Sequence, residues 1–261
     1  MIKAVFFDMD GTLVAYPPGE IPLSAQKAIA QLREAGILIC AATGRHRLEM
    51  EANDFLGAVS FDAVASLNGQ YVYAGEQDLL ANTLSPQDLE TYFSSYNAPC
   101  IVSEKRRMYI NYHTDDFEQA QKGIASALPP QGDLTDIAQR EILQLQVYCD
   151  EDVAQDLNRD LQSAKTVRWS QDFVDLIPQS GGKTKGIEAI LKHFALDWSE
   201  VMAFGDGEND LAMLSAAQIA VAMGDAAAEV QAVADYVTAP ATQDGIAAAL
   251  ERFAAEFDRK L

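Results

Sequence analysis

Along the first third of the chain, unbroken apolar runs alternate with segments in which apolar residues recur every three or four positions. "IKAVFFD" is rich in β-branched and aromatic residues up to its closing acid, the pattern of a central parallel strand buried on both faces. "SAQKAIAQLREAG" follows, with Ala25, Ile29 and Leu32 on one stripe, Ser24 placed to cap an amphipathic helix and Gly36 placed to end it. "ILICAATG" is a second buried strand, and strand, helix and strand in that order predict a right-handed βαβ unit. "FDAVASLNG" supplies a third strand, and "QYVYAGEQDLLANTL" reads as a hairpin turning over residues 75–78.

From about Ser85 the texture becomes more polar and the segments shorter. "SPQDLETYFSSY" and "TDDFEQAQKGIASAL" predict amphipathic helices, "PCIVSEKRRMYINY" and "ILQLQVYCD" predict strands with alternating faces, and "LPPQGD" and "IPQSGGK" read as loops. After Lys183 the opening pattern resumes as helix "TKGIEAILKHF", strand "EVMAFGD", helix "NDLAMLSAA" and strand "IAVAMG". The expectation is an α/β fold: a Rossmann-like parallel-sheet core over residues 1–82 and 181–261, interrupted by an α+β insertion over residues 83–180.

Composition narrows the partners. The chain has 261 residues, 49% of them hydrophobic, enough for one large or two medium cores. Acidic residues number 39 against 19 basic, a formal net charge of −20 that repels nucleic acid and anionic membranes. The same charge repels phosphorylated molecules at long range, so a phosphate site here needs local positive charge or a bound cation. Cys40, Cys100 and Cys149 are widely spaced and form no CxxC pair, as expected in a reduced, cytoplasmic protein. No run approaches the roughly 20 apolar residues of a membrane span, and the early apolar stretch is broken too soon for a signal peptide. A monomer or small homo-oligomer is expected.

In open parallel sheets, sites form beyond the carboxyl ends of strands, at a switch point in strand order. The unusual polar residues fall at such ends: Asp8 and Asp10 after the first strand, Thr43, Gly44 and Arg45 after the second, Asn68 and Gly69 after the third, and Asp206, Asn209 and Asp210 after "VMAFG". Lys183 stands in the Gly-flanked loop where the core resumes. Residues two apart on a strand project to one side, so Asp8 and Asp10 are expected to converge if the extended geometry persists, with Met9 pointing elsewhere. Like charges that close call for a divalent metal, an acid/base pair, or both.

Each residue type has a use in phosphoryl transfer, where positioning and charge neutralisation dominate. Asp8 and Asp206 suit Mg²⁺, a hard cation commonly held by one or two carboxylates together with phosphate oxygens. Lys183 offers a compact positive charge for the phosphoryl oxygens, the Thr43 hydroxyl and nearby backbone N–H groups can hold others, and Gly11 and Gly44 leave room for the backbone to approach. A carboxylate can itself be the nucleophile, which calls for a second acid to protonate the leaving group, and Asp10 is the natural candidate. Taken singly, a Thr-Gly after a strand is an ordinary turn and a loop lysine is ordinarily solvated; the joint order and spacing carry the inference.

With "FFDMDGTL", "AATGR", "SLNGQYVY", "GGKTKGI" and "AFGDGENDLAML" in this order, the sequence resembles the haloacid dehalogenase superfamily, specifically its Cof-like branch with a large cap between the second and third motifs. The resemblance implies a phosphatase in which Asp8 is nucleophile and metal ligand and Asp10 is the acid/base, its backbone carbonyl on Mg²⁺. It further implies that Met9, Thr43, Gly44, Lys183 and Asn209 bind the phosphoryl group, that Asp206 ligates the metal and that Asp210 completes its outer shell. The relatives' Lys-x-x-Gly-Ile spacing favours Lys183 over Lys185. Arg45 and Asn68 are weaker candidates for substrate contact, as are Arg106, Arg107, Asn111 and His113 of the cap. The expected substrates are small phosphorylated metabolites, sugar phosphates or phosphorylated cofactors such as flavin mononucleotide and pyridoxal phosphate. A phosphomutase of the same superfamily is the alternative among enzymes, and a phospho-aspartate switch domain the alternative outside them.

Overall fold

A computed structural model describes residues 1–15, 19–123, 126–168 and 170–257. Its opening strands are β1 (Ala4–Phe7), β2 (Leu38–Ala42) and β3 (Ala63–Ser66), followed by the hairpin β4 (Tyr71–Ala74) and β5 (Gln77–Ala81). The chain then builds β6 (Cys100–Ser103), β7 (Met108–Ile110), β8 (Gln144–Val147), β9 (Ala164–Arg168) and β10 (Val174–Pro178), and returns with β11 (Val201–Gly205), β12 (Ile219–Ala222) and β13 (Tyr236–Val237). Among the described residues these form an eight-stranded sheet in the order β13-β12-β11-β1-β2-β3-β4-β5 and a five-stranded sheet in the order β7-β6-β8-β10-β9. The larger sheet is parallel from β13 to β3 and the smaller one antiparallel throughout, so the molecule is a Rossmann-like α/β core with an inserted α+β cap.

β1 lies between β2 and β11, where the strand order changes direction. Its side chains explain why it is central. Val5 and Phe7 enter one apolar cluster with Ile29 and Leu32 of the helix Leu23–Glu34 and Ile246 and Leu250 of the helix Gly245–Arg252. Ala4 and Phe6 enter the other, with Ile187, Ile190 and Leu191 of the helix Lys183–Phe194. A strand that must satisfy helices on both faces has no polar side, as its unbroken apolar run requires.

The second face is built from small residues, among them Ala42, Ala63, Ala65, Ala203 and Ala222, so a helix can approach closely. At Gly186 a Cβ would stand 2.6 Å from Gly69 Cα and 2.9 Å from Ala65 Cβ. Gly69, at φ +82°, is equally confined, because its own Cβ would meet the Gly182 carbonyl oxygen at 2.4 Å. These two glycines therefore set how near the amino end of the helix Lys183–Phe194 comes to the sheet.

In the cap, alternation along the strands divides two surfaces. Cys100, Val102, Leu145, Val147, Val174 and Leu176 pack with Leu89 and Tyr92 of the helix Pro86–Ser95 and Leu157 of the helix Glu151–Asp160. Their neighbours Ser103, Gln144, Gln146 and Asp175 are polar yet buried, because the opposite surface is covered by the core. His46 donates from Nε2 to the Glu104 carbonyl at 2.7 Å, Ser126 Oγ donates to Glu49 at 2.6 Å, and Lys105 pairs with Asp78, all across this junction.

Several local expectations change. The helix begins at Leu23 after Pro22 rather than at a Ser24 cap; proline sets φ near −55° and starts the helix two residues early, and Ser24 Oγ donates instead to Asp244 at 2.5 Å. Lys183 is the first residue of a helix, not part of a loop. Ile177 and Pro178 belong to β10; its pairing with β8 runs only from Val174 to Leu176, so the missing proline N–H falls beyond that ladder. Ile124 and Ala125, within the segment expected as helix, lie outside the described residues; the helix there spans Asp115–Gly123. The helices Arg47–Ala52, Phe55–Ala58 and Glu151–Asp160, and β9 and β13, lack a signal long or apolar enough to stand out by pattern.

Gly186→Ala is expected to push the helix off the sheet and lower stability by about 1–3 kcal/mol, the usual cost of overpacking. A reduced urea midpoint at unchanged slope is the outcome that checks it.

Candidate active site

β1 ends at Phe7, and the next amide, of Asp8, still donates to the Phe204 carbonyl at 3.0 Å. This places Asp8 at the carboxyl edge, between two strands. The chain then turns, with Leu13 N–H to the Asp8 carbonyl at 3.2 Å and Val14 N–H to the Met9 carbonyl at 2.7 Å. The Met9 side chain is fully buried in the core, so only its main chain can face a ligand.

The turn ends the extended geometry, yet Asp10 stays close enough for its charge to raise the Asp8 carboxyl. Asp8 also gathers with Asp206 and Asp210: one carboxylate oxygen from each lies within 4.8 Å of the others. Lys183 Nζ donates to Asp8 Oδ1 at 2.5 Å and to Asp210 Oδ1 at 2.6 Å, with the lysine only 3% exposed. The other oxygen of Asp210 accepts the N–H groups of Asp206 and Gly207, both at 3.0 Å, which fixes the turn after β11. Thr12 Oγ1 donates to Asp206 Oδ1 at 2.5 Å. Lys185, by contrast, is exposed and pairs loosely with Glu188 at 3.5 Å.

Asp10 is held by Arg45, whose Nε and Nη2 each donate to a different carboxylate oxygen at 2.7 Å. Arg45 is 2% exposed, so a residue weakly marked in the sequence proves to be a buried, two-pronged orienting group. Thr43 is fully buried, and its Oγ1 accepts the Arg45 N–H at 3.1 Å. The Gly44 carbonyl receives Gln144 Nε2 of the cap at 3.4 Å.

Asn209 Nδ2 donates to Asn68 Oδ1 at 3.2 Å, and Asn68 Nδ2 donates to Gln144 Oε1 at 3.0 Å and Asp175 Oδ2 at 2.7 Å. Asn68 is thus engaged on both ends of its amide. Gln144 and Asp175 were missed in sequence, although an acid inside the apolar run "FVDLIP" was a usable signal. Among the weaker cap candidates, Arg107 is exposed beside Glu104 at 2.6 Å, Asn111 binds the backbone of Ala98 and Cys100, His113 lies 3.9 Å from Glu118, and Arg106 is exposed.

Burial pushes the Asp8 carboxyl well above the usual range, against the pull of Lys183 and with the help of Asp210 and Asp206. Asp206 is pushed up to about 7, by burial first and then by Asp210, against the Thr12 hydrogen bond. Burial alone would lower Lys183, but the carboxylates of Asp210 and Asp8 outweigh it and hold the ammonium charged. Three acids with converging oxygens and one lysine leave unbalanced negative charge, and an all-oxygen donor set of this kind fits a hard divalent cation.

The chain belongs to the haloacid dehalogenase-like hydrolases, whose family pattern matches residues 5–250. YkrA of Bacillus subtilis (strain 168) is 29% identical over 254 residues, 95% of this chain and 96% of that protein. The HMP-PP phosphatase of Shigella boydii serotype 4 (strain Sb227) is 27% identical over 253 residues, 89% of this chain and 92% of that protein. The solved structure of the HAD subclass IIB sugar phosphatase BT4131 shares 30% identity, covers 97% of this chain and is itself covered to 99%, with a TM-score of 0.85. The protein is a phosphatase of this family. Among the described residues no helix is long and apolar enough to cross a membrane.

With its folded value near 7 against an ordinary 3.8, Asp206 binds more protons folded than unfolded between those limits, so in metal-free protein it removes stability as pH rises from about 4 to about 7. A cation competes with that proton. The rise in melting temperature on adding millimolar Mg²⁺ is expected to grow from pH 5 to pH 8, as scanning fluorimetry against a chelated control would measure; a rise independent of pH would contradict the charge balance described.

Proposed function

We propose that the protein is a Mg²⁺-dependent hydrolase of small phosphorylated metabolites, sugar phosphates or phosphorylated cofactors such as flavin mononucleotide and pyridoxal phosphate. On this reading residues 1–82 and 181–261 form the catalytic body and residues 83–180 the cap that closes over it. The observation that carries the proposal is the convergence of Asp8, Asp206 and Asp210 within 4.8 Å around the buried Lys183.

Asp8 Oδ attacks phosphorus, and the bond to the leaving oxygen breaks as that oxygen takes a proton from Asp10. Asp10 then withdraws a proton from water, which attacks the phosphorus of the aspartyl-phosphate, releasing inorganic phosphate and restoring both carboxyls. Arg45 holds both Asp10 oxygens at 2.7 Å, which orients the acid; one of these bonds must yield for the carboxyl to carry a proton. Lys183, the Thr43 hydroxyl, the Asn209 amide and the main chain at Met9 and Gly44 hold the phosphoryl oxygens. Asp8, Asp206, Asp210 and the Asp10 carbonyl would hold Mg²⁺, which when bound offsets the carboxylate charge and polarises the phosphoryl group. The buried contacts between cap and core support exclusion of bulk water during turnover.

The test is phosphate release from a panel of sugar phosphates, nucleotides and phosphorylated vitamins, with Mg²⁺ and with excess chelator, ranked by kcat/KM. Full activity in chelator would remove the metal from the reading, and isomerised product without free phosphate would favour a mutase.

Asp8→Asn is expected to abolish phosphate release at an unchanged fold. Asp10→Asn is expected to slow it by roughly 10²–10⁴-fold, the usual contribution of general acid-base catalysis. Steady-state rates and circular dichroism on both variants check these outcomes.

A further inference from the structure

The turn Leu67–Gly69 is conformationally expensive. Leu67 and Asn68 both have φ +51° and Gly69 has φ +82°, so three successive residues occupy the left-handed region, where a leucine is rarely found. Such a turn persists only when its surroundings over-determine it, and here they do. Leu67 N–H donates to the Arg45 carbonyl at 3.1 Å, Asn68 N–H to the Thr43 carbonyl at 2.8 Å, and Gln70 Nε2 to the Asn68 carbonyl at 2.9 Å.

Three of the segments assigned to phosphoryl binding meet this turn. Its backbone holds Thr43–Arg45. Its Asn68 side chain takes the Asn209 amide at 3.2 Å. Its Gly69 is pressed against Gly182, the residue before Lys183. The remaining valence of Asn68 is spent on the cap, through Asp175 of β10 at 2.7 Å and Gln144 of β8 at 3.0 Å, with Gln144 also reaching the Gly44 carbonyl at 3.4 Å. Asp175 is 0% exposed, in a strand whose alternate residues are apolar. Burying a carboxylate there is costly unless the contact serves a purpose that an apolar residue could not.

We propose that Asp175 and Gln144 are positioning residues: they grip Asn68 when the cap is closed and thereby align Asn209 and the Thr43–Arg45 loop on the phosphoryl group. Closure and assembly of the binding site are then one event, and an open cap leaves Asn68 without the two cap groups that fix its amide toward Asn209. The inference rests on the phosphatase reading for what Asn209 contacts, but not for the existence of the latch.

Two measurements on the full chain separate these. The first is hydrogen exchange at the amides of Leu67 and Asn68. Asp175→Leu is expected to speed their exchange at least tenfold while the cap amides Leu145 and Leu176 keep their protection; unchanged exchange at Leu67 and Asn68 overturns the latch whether or not the enzyme turns over. The second is a double-mutant cycle on p-nitrophenyl phosphate hydrolysis. Asp175→Leu alone is expected to lower kcat/KM about ten- to a hundred-fold, the scale of a small misplacement of a binding group. In an Asn209→Ala background its effect is expected to shrink at least threefold, leaving the part carried through the Thr43–Arg45 loop. Asp175→Asn, which keeps an acceptor oxygen for Asn68, is expected to stay close to wild type. Multiplicative losses in the cycle overturn the route through Asn209. Absence of phosphate release from wild type would sink the phosphatase reading while the exchange experiment still decides the latch.

Discussion

A single ammonium group, Lys183 Nζ, sits 2.5 Å from Asp8 and 2.6 Å from Asp210, with almost no access to solvent. Three remote parts of the chain reach that point: the end of β1, the start of the helix Lys183–Phe194 and the turn after β11. Charges buried this deeply are costly to leave unmatched, so each partner constrains the others. The match is incomplete, because Asp206 adds a third carboxylate to the same space. Burial first, and then the neighbouring carboxylates, raise Asp8 and Asp206, and the unmatched negative charge suits the site to a cation.

The ammonium reaches its place because the fold lets a helix come unusually near the sheet. The alanine-rich face of the parallel strands and the facing glycines at 69 and 186 remove the side chains that would hold it off. Packing and chemistry are thus one constraint, and a methyl group far from any reacting atom has leverage on the position of Lys183. The cap works through the same economy of faces. One side of its sheet builds a core of its own, while the other presents amides and an acid to the turn that carries Asn68.

Much of this is readable in one dimension, and the reasons differ from residue to residue. β1, β2, β3 and β11 stand out because a strand covered on both faces must be apolar throughout, and the acids that close them stand out by contrast. The resemblance, through the relatives' Lys-x-x-Gly-Ile spacing, favours Lys183 over Lys185; in the structure Lys183 is buried and Lys185 exposed. The cap was legible only in part, since short strands such as "AKTVR" bury one edge weakly and carry no periodic signal. Arg45 was a weaker candidate for substrate contact; the partner that orients it, Asp10, lies 35 positions away in the chain.

By itself, the sequence determined which residues are acids at strand ends and in what order the core, the insertion and the core again occur, because both follow from local alternation and composition. Only the tertiary structure decided that Lys183 bridges Asp8 and Asp210, that Arg45 grips Asp10 and that Asn68 is held from the cap. Those pairings depend on where a turn bends the chain and how closely two layers approach, and neither is written in local periodicity.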